Sequence, residues 1–161
     1  SKIMMEDTST NLLIPRFFTV YGPYGRPDMS ILRFIHWIIE EKEVLVLGDG
    51  EQMRSFTYID DVVEALLLMM DHKESNTFNI GSNTTVSLNE VIKTIEKYSG
   101  KKANIKNEER AYKDPDVVRP NLENISNELN WKPTTNIEAG IEKTVSWYLE
   151  NKEFLNDIVY I

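Results

Sequence analysis

Short apolar runs alternate with amphipathic segments along the chain, which is the pattern of an α/β protein. Residues 12–21 (LLIPRFFTVY) are rich in β-branched and aromatic side chains and predict one buried strand. Residues 44–47 and 77–81 predict two more short strands, and 55–59 and 102–106 predict further extended segments. A complete doubly wound sheet needs more strands than these.

Apolar side chains also recur at helical spacing. A helix is predicted from Ser30, as its N-terminal cap, to about residue 41, and its buried side carries Ile31, Phe34, Ile35, Ile38 and Ile39. Further helices are predicted at 62–72, at 85–98 with Gly100 ending it, at 125–129 and at 137–151. Asp60 and Asp61 are predicted to cap the helix at 62–72 and to interact with its dipole.

Glycine and proline mark two turns, residues 22–29 (GPYGRPDM) and 48–50 (GDG). No strand is followed by G-x-G-x-x-G or by G-x-x-x-x-G-K-[ST], the two glycine-rich phosphate-binding patterns. The turn at 48–50 is not followed by a predicted helix, so it cannot place a phosphate on a helix N-terminus. The sequence pattern alone therefore predicts no nucleotide-binding loop.

Composition narrows the classes of partner. A length of 161 residues is typical of one domain. The chain has 18 Lys and Arg and 26 Asp and Glu, so its net charge is −8, whereas nucleic-acid binding needs a basic surface. With no cysteine, disulfides and thiolate zinc sites are excluded, and two histidines make a multi-histidine metal site improbable. The longest apolar run, residues 65–70, is too short to span a bilayer, and the first residues lack a signal-peptide pattern. We expect a soluble, cytoplasmic protein without a metal, nucleic-acid or membrane partner.

Several motifs, in order, resemble one enzyme family. They are residues 16–29 (RFFTVYGPYGRPDM), 48–66 (GDGEQMRSFTYIDDVVEAL), 77–92 (TFNIGSNTTVSLNEVI), 114–118 (DPDVV) and 130–148 (NWKPTTNIEAGIEKTVSWY). Together they resemble the NAD-dependent sugar-nucleotide epimerases and dehydratases, which are extended short-chain dehydrogenases/reductases. The resemblance implies an α/β fold made of the last strands of a Rossmann-type sheet and the smaller mixed α/β domain that binds the sugar nucleotide.

The resemblance further implies that residues 1–161 are the C-terminal, substrate-binding part of such an enzyme, with the N-terminal NAD-binding domain absent. The family's glycine fingerprint and catalytic tyrosine of Y-x-x-x-K are not found. Ser1 and Lys2 resemble the end of that motif, which would make Lys2 the lysine that assists catalysis and holds the nicotinamide ribose of NAD. The interval from Lys2 to Arg16 is shorter than in the family, so an ordinary N-terminal lysine is the alternative.

The loop at 22–29 and the strand before it resemble the family members that epimerise UDP-glucuronate. Thr19 stands where many members have Asn, and its hydroxyl can donate a hydrogen bond to the sugar. Arg26 offers a planar fork for a uronate carboxylate, a partner that a neutral hexose lacks. The alternatives are a surface ion pair between Arg26 and Asp28, and a merely structural Thr19.

Two more positions match family residues that hold the nucleotide: Arg54 matches the arginine on the UDP diphosphate, and Asp116 the acidic residue on the uridine ribose. Lys113, three residues before Asp116, could contact phosphate as a point charge. Solvated charges are the alternative for each. Phe17 and Phe18 lie on opposite faces of the predicted strand. Core packing is predicted for Phe17, and contact with the cofactor for Phe18.

The resemblance implies an NAD-dependent UDP-sugar 4-epimerase that acts on UDP-glucuronate. This chain is then its UDP-sugar-binding half, and we expect the chain to be inactive alone. Other family members remain alternatives: a UDP-glucose 4-epimerase, a dehydratase or a UDP-glucuronate decarboxylase. So does a non-catalytic binding or structural fragment. Missing sheet strands would leave an exposed edge and an apolar patch, which favours a homodimer.

Overall fold

The computed structural model describes residues 12–109 and 115–155 of the chain. Lys2 and Lys113, two of the predicted site residues, lie outside these ranges. The strands are β1 (Leu13–Phe17), β2 (Thr19–Tyr21), β3 (Glu43–Leu47), β4 (Met53–Tyr58), β5 (Asn76–Ile80), β6 (Thr85–Ser87), β7 (Asn104–Glu108) and β8 (Val117–Val118). The helices are α1 (Ser30–Ile39), α2 (Ile59–Met70), α3 (Leu88–Ser99), α4 (Glu123–Leu129), α5 (Ile137–Glu150) and α6 (Lys152–Leu155).

Parallel pairing dominates the three small sheets. β1 pairs with β5, β2 with β4, and β3 with β7, all in parallel. β4 is the centre of a four-stranded sheet, since it also pairs with β6 in the antiparallel sense and with β8 in parallel. The fold is α/β, as the apolar pattern predicted, and most of its strand pairs are parallel.

The sheet around β4 lies between two apolar clusters. On one face Tyr21, Phe56 and Tyr58 pack with the inner sides of α1, α3 and α5. On the other face Val20 joins a second cluster formed by α2, β5 and Trp131. Period-two alternation along β2 and β4 produces this arrangement, because neighbouring residues point to opposite faces.

Two helices follow their local sequence signals closely. All five predicted apolar residues of α1 are buried. α3 begins with a capping box, in which Ser87 and Glu90 bond reciprocally, and ends at Gly100 in the left-handed conformation. Ser30 is not the cap predicted for α1: Met29 is, and it makes no side-chain capping bond.

The prediction of one strand over residues 12–21 is wrong, because the chain passes from one sheet to another at Phe18. The Phe18 amide makes the last β1–β5 hydrogen bond, 3.0 Å to the Ile80 carbonyl. Thr19 then starts β2 beside Phe56 of β4. Most side chains of both pieces are apolar, so the local sequence does not show where the strand breaks.

Asp61 has a different structural role from the predicted helix cap. Its carboxylate is buried and accepts hydrogen bonds from the backbone and hydroxyl groups of Thr134 and Thr135, at 3.0 to 3.2 Å. It therefore ties the start of α2 to the segment before α5. Within the described ranges, no helix is long and apolar enough to cross a bilayer.

Candidate functional site

The ends of β1 and β5, the beginnings of β2 and β4 and one loop meet at a place that we call the strand-end junction: Phe18, Thr19, Arg54, Gly81 and residues 115–120. β1 and β5 are parallel, so Phe18 and Gly81 leave the sheet at the same carboxyl edge. The carboxyl edge of parallel strands is where α/β proteins place ligands. This location makes the junction the first candidate for a binding site.

Close packing at Gly81 brings residues 115–120 to this edge. A Cβ atom at Gly81 would lie 2.6 Å from Cγ of Pro120 and 3.3 Å from Cβ of Phe18. Only a hydrogen atom fits there. The loop after β5 is also tied to β4, since the Ser55 hydroxyl donates to the Ser82 carbonyl at 2.8 Å.

Arg54 holds the same segment from the side of β4. Its Nη1 donates to the carbonyl oxygens of Pro115, at 2.9 Å, and of Met53, at 2.8 Å. The Met53 amide donates to the carbonyl of Asp116 at 2.8 Å, continuing the β4–β8 pairing. Arg54 and Asp116, 62 positions apart in sequence, are therefore neighbours, and the Asp116 residue is exposed.

Thr19 links this group to Arg26. In the β2–β4 register Thr19 lies beside Phe56, and Phe56 shares a strand face with Arg54, two residues earlier. Thr19 also lines a shallow cleft with Tyr21, Arg26 and Phe56. That cleft does not include Arg54. This cleft therefore does not bring the two predicted arginines together.

Arg26 forms the surface ion pair that the sequence left open as an alternative. Its Nε and Nη2 donate to the two carboxylate oxygens of Asp28, at 3.1 and 2.5 Å. The hydrogen bond from Arg26 holds the pKa of the Asp28 carboxyl below its ordinary value. The Arg26 side chain is 76% exposed, which leaves it reachable from solvent.

The two neighbouring phenylalanines do not both fit their predictions. Phe17, expected in the core, is 51% exposed. It lies at the end of the two-stranded β1–β5 sheet, where the described residues leave it uncovered. Phe18 is half-buried and contacts the junction at Gly81, so its predicted contact with a cofactor stays a prediction.

The groups of the junction suit binding more than proton transfer. Arg54, Thr19 and the Asp116 carboxylate offer charge and hydrogen bonds. Tyr21, two residues beyond Thr19 on β2, is buried, and burial raises the pKa of its phenol well above the ordinary value. It is therefore no candidate for a general base.

A second cavity, of about 290 Å³, also borders Phe56. Its walls are Ser82, Asn83 and Thr84 and the segment from Lys132 to Ile137. None of the predicted site residues within the described ranges lines it. Sequence analysis also missed Gly81 and Pro120, for which the only sequence signal is a glycine directly after a buried strand.

Comparison with known proteins gives the same family as the motifs. The model of the NAD dependent epimerase/dehydratase family matches residues 2–81. A UDP-glucuronate 4-epimerase of Thermodesulfobacterium geofontis is 40% identical over 149 residues, which cover 92% of this chain and 46% of that protein. Protein CapI of Staphylococcus aureus is 34% identical, with 84% of this chain and 46% of that protein covered.

Solved structures of 4-epimerases resemble the fold of this chain. The UDP-glucuronic acid 4-epimerase of Bacillus cereus, in complex with UDP-glucuronic acid and NAD, superposes with a TM-score of 0.85 at 30% identity, covering 92% of this chain and 48% of that one. The UDP-glucose 4-epimerase of Thermotoga maritima, with UDP-glucose, has a TM-score of 0.85 at 25% identity, covering 94% and 50%. The chain spans about half the length of the curated relatives it matches. From its motifs, its fold and these matches, the chain belongs to the NAD-dependent epimerase/dehydratase family.

Proposed function

We propose that this chain is the sugar-nucleotide-binding part of an NAD-dependent UDP-sugar 4-epimerase that acts on UDP-glucuronate. The observation that carries the proposal is the convergence of Arg54 and the 115–116 segment beside Thr19, at the carboxyl edge of β1 and β5. The relatives named above as UDP-glucuronate 4-epimerases support the choice of sugar.

In this proposal each residue has a binding role. Arg54 contacts the diphosphate of UDP, and Asp116 accepts hydrogen bonds from the ribose hydroxyls. Thr19 donates a hydrogen bond to the sugar, and the Arg26 fork holds the uronate carboxylate. Lys113, which lies outside the described residues, is assigned a phosphate contact only from its charge and its place three residues before Asp116.

The described residues could provide only part of a binding site for NAD. Phe18 offers an apolar surface at the strand edge, but the Gly48-Asp49-Gly50 turn leads into β4 rather than into a helix. Among the described residues, this turn therefore offers no helix N-terminus to the NAD pyrophosphate. Bound NAD supplies reversible hydride transfer at C4 of the sugar, and Lys2 is assigned to its ribose by the resemblance alone. What this chain contributes is positioning of the sugar, so we expect no epimerase activity from it alone.

Binding measurements on the intact protein test the proposal. Arg54→Met should weaken binding of UDP-glucuronate and of UDP-glucose alike, about ten- to hundredfold, since it removes a charge-assisted contact to their shared diphosphate. Lys93→Met, which removes an exposed cation on α3, is the matched control and should change neither affinity. Calorimetric titration gives both constants. Equal affinities in wild type and Arg54→Met would refute the diphosphate role.

A UDP-glucose 4-epimerase is the second candidate, and one observation favours it. Arg26 is engaged with Asp28, so its fork does not require a substrate carboxylate. Arg26→Met separates the two candidates. It should weaken binding of UDP-glucuronate and spare UDP-glucose if the substrate is the uronate. Loss of neither affinity would favour the neutral sugar.

The proposal includes a homodimer in the cytoplasm. The absence of cysteine from the chain suits a reducing compartment. Support for the dimer comes from α2, where Val63, Leu67 and Met70 lie at i, i+4 and i+7 and are 46%, 59% and 75% exposed. Light scattering should show that Leu67→Glu shifts the protein towards monomer, whereas Leu149→Glu, at an exposed leucine of α5, should not. A monomeric wild type would contradict this part of the proposal.

A further inference from the structure

The turn before α1 places a carboxylate in the fork of Arg26. Nε and Nη2 of Arg26 bond separately to Oδ1 and Oδ2 of Asp28. This two-bond, side-by-side arrangement is the one by which a guanidinium binds any carboxylate, including that of a uronic acid. Asp28 therefore occupies the donors that the proposed function assigns to the substrate.

Local backbone structure keeps the two side chains together. The Met29 amide donates to the Arg26 carbonyl at 3.1 Å, which closes a turn around Pro27 and Asp28. Since the partners are two residues apart and held by this turn, little chain entropy is lost when they pair. The pair is nevertheless accessible, with side-chain exposures of 76% and 42%, so a ligand from solvent can reach and replace it.

The charge of Asp28 is maintained by its surroundings. The Arg26 hydrogen bond lowers the pKa of the carboxyl, and Arg33 on α1 lowers it further through its positive charge. Asp28 is thus an ionised competitor at neutral pH. Arg33 also keeps a positive charge close to Asp28 when Arg26 turns to another partner.

We propose that Asp28 is a specificity-determining residue, an internal carboxylate that competes with the substrate carboxylate for Arg26. The inference rests on the proposed function, because it needs a uronate at Arg26. A uronate must displace Asp28 before it binds, whereas a neutral sugar leaves the pair intact. Asp28 therefore lowers the preference of the site for the anionic sugar.

Substitution at Asp28 gives a direct test. Asp28→Asn keeps the size of the side chain and removes its charge, so calorimetric titration of the intact protein at low salt should show tighter binding of UDP-glucuronate. An exposed ion pair is weak, and the expected gain is about two- to fivefold. UDP-glucose should bind with unchanged affinity. Asp71→Asn, which removes an exposed carboxylate beyond α2, is the charge-matched control and should change neither constant.

A second substitution separates competition from other effects. In an Arg26→Met background, Asp28→Asn should give no gain for UDP-glucuronate, since no fork remains to compete for. An equal gain for both sugars would overturn the inference, because general charge removal would then suffice. A loss of UDP-glucuronate affinity would overturn it too, since Asp28 would then position Arg26. If neither nucleotide sugar binds wild type or variants, the proposed function itself fails.

Discussion

Gly81 offers the sharpest test of how the strand-end junction is built. Its φ is outside the left-handed region, so an alanine there meets no backbone strain. The obstacle is steric: the new Cβ would lie 2.6 Å from Cγ of Pro120, well inside a normal carbon–carbon contact of about 3.5–4.0 Å. Pro120 is buried and its ring is rigid, so the ring cannot swing away.

The magnitude follows from two opposing effects. Overpacking of this kind costs about 1–3 kcal/mol. The reduced freedom of the unfolded chain returns only about 0.4–1 kcal/mol when alanine replaces glycine. We therefore expect Gly81→Ala to lower the free energy of unfolding, and to weaken UDP binding because residues 115–120 must shift away from Arg54.

Urea denaturation and calorimetric titration with UDP measure the two effects. Pro120→Ala removes the Cγ atom that blocks the new methyl group, so the double variant should be more stable than the sum of the single changes predicts. Asn83→Ala, at an exposed position of the same loop, should leave both quantities unchanged. Additive losses, or a Gly81→Ala protein as stable as wild type, would refute the steric account.

Three other substitutions test the framework around the site. Asp61→Asn should lower the free energy of unfolding by about 1.5–3 kcal/mol, because it replaces a buried charged acceptor of four hydrogen bonds. Urea denaturation measures this loss, with Asp60→Asn, at an exposed position, as the control. Equal losses in the two variants would contradict the role of Asp61 in holding Thr134 and Thr135. Burial lowers the pKa of His36 below its ordinary value, so the unfolded chain binds the proton more tightly and stability should fall as pH drops below about 6.5. Melting curves of His36→Phe between pH 5 and 7 should lack this slope, and a retained slope would assign it elsewhere. Gly140→Ala should destabilise α5 although alanine has the better helix propensity, since its Cβ would overlap the Tyr21 hydroxyl. Tyr21→Phe should reduce this loss of stability. A thermal melt of Gly140→Ala that shows no loss would contradict the close packing of Gly140 against Tyr21.

Elements whose signals are local could be predicted from sequence. The five apolar residues of α1 recur at helical spacing, and all are buried as expected. Gly100 ends α3 where the sequence indicated, because a left-handed C-terminal residue favours glycine. The apolar spacing of a helix and its C-terminal glycine depend on neighbours within four residues, so a short stretch of sequence is enough to predict them.

The site residues depended on a different kind of evidence. Arg54 and Asp116 were assigned through a family resemblance, and their contact across 62 positions comes from β4–β8 pairing. The Arg26 and Asp28 ion pair was foreseen as an alternative, since two residues in one turn can reach each other. Whether the nucleotide-binding roles hold is for the titrations to decide.

Periodicity and end signals act over a few positions, so the α/β class, five of the six helices in the described residues and the segments rich in β-branched residues could be predicted without the structure. The division of residues 12–21 between two sheets at Phe18, in contrast, was set by long-range strand pairing. Long-range contacts also make Asp61 hold Thr134 and Thr135 rather than cap a helix. Both outcomes depend on which distant segment provides the hydrogen-bonding partner. The sequence shows which groups can form hydrogen bonds, but it does not show with which residue each of them pairs.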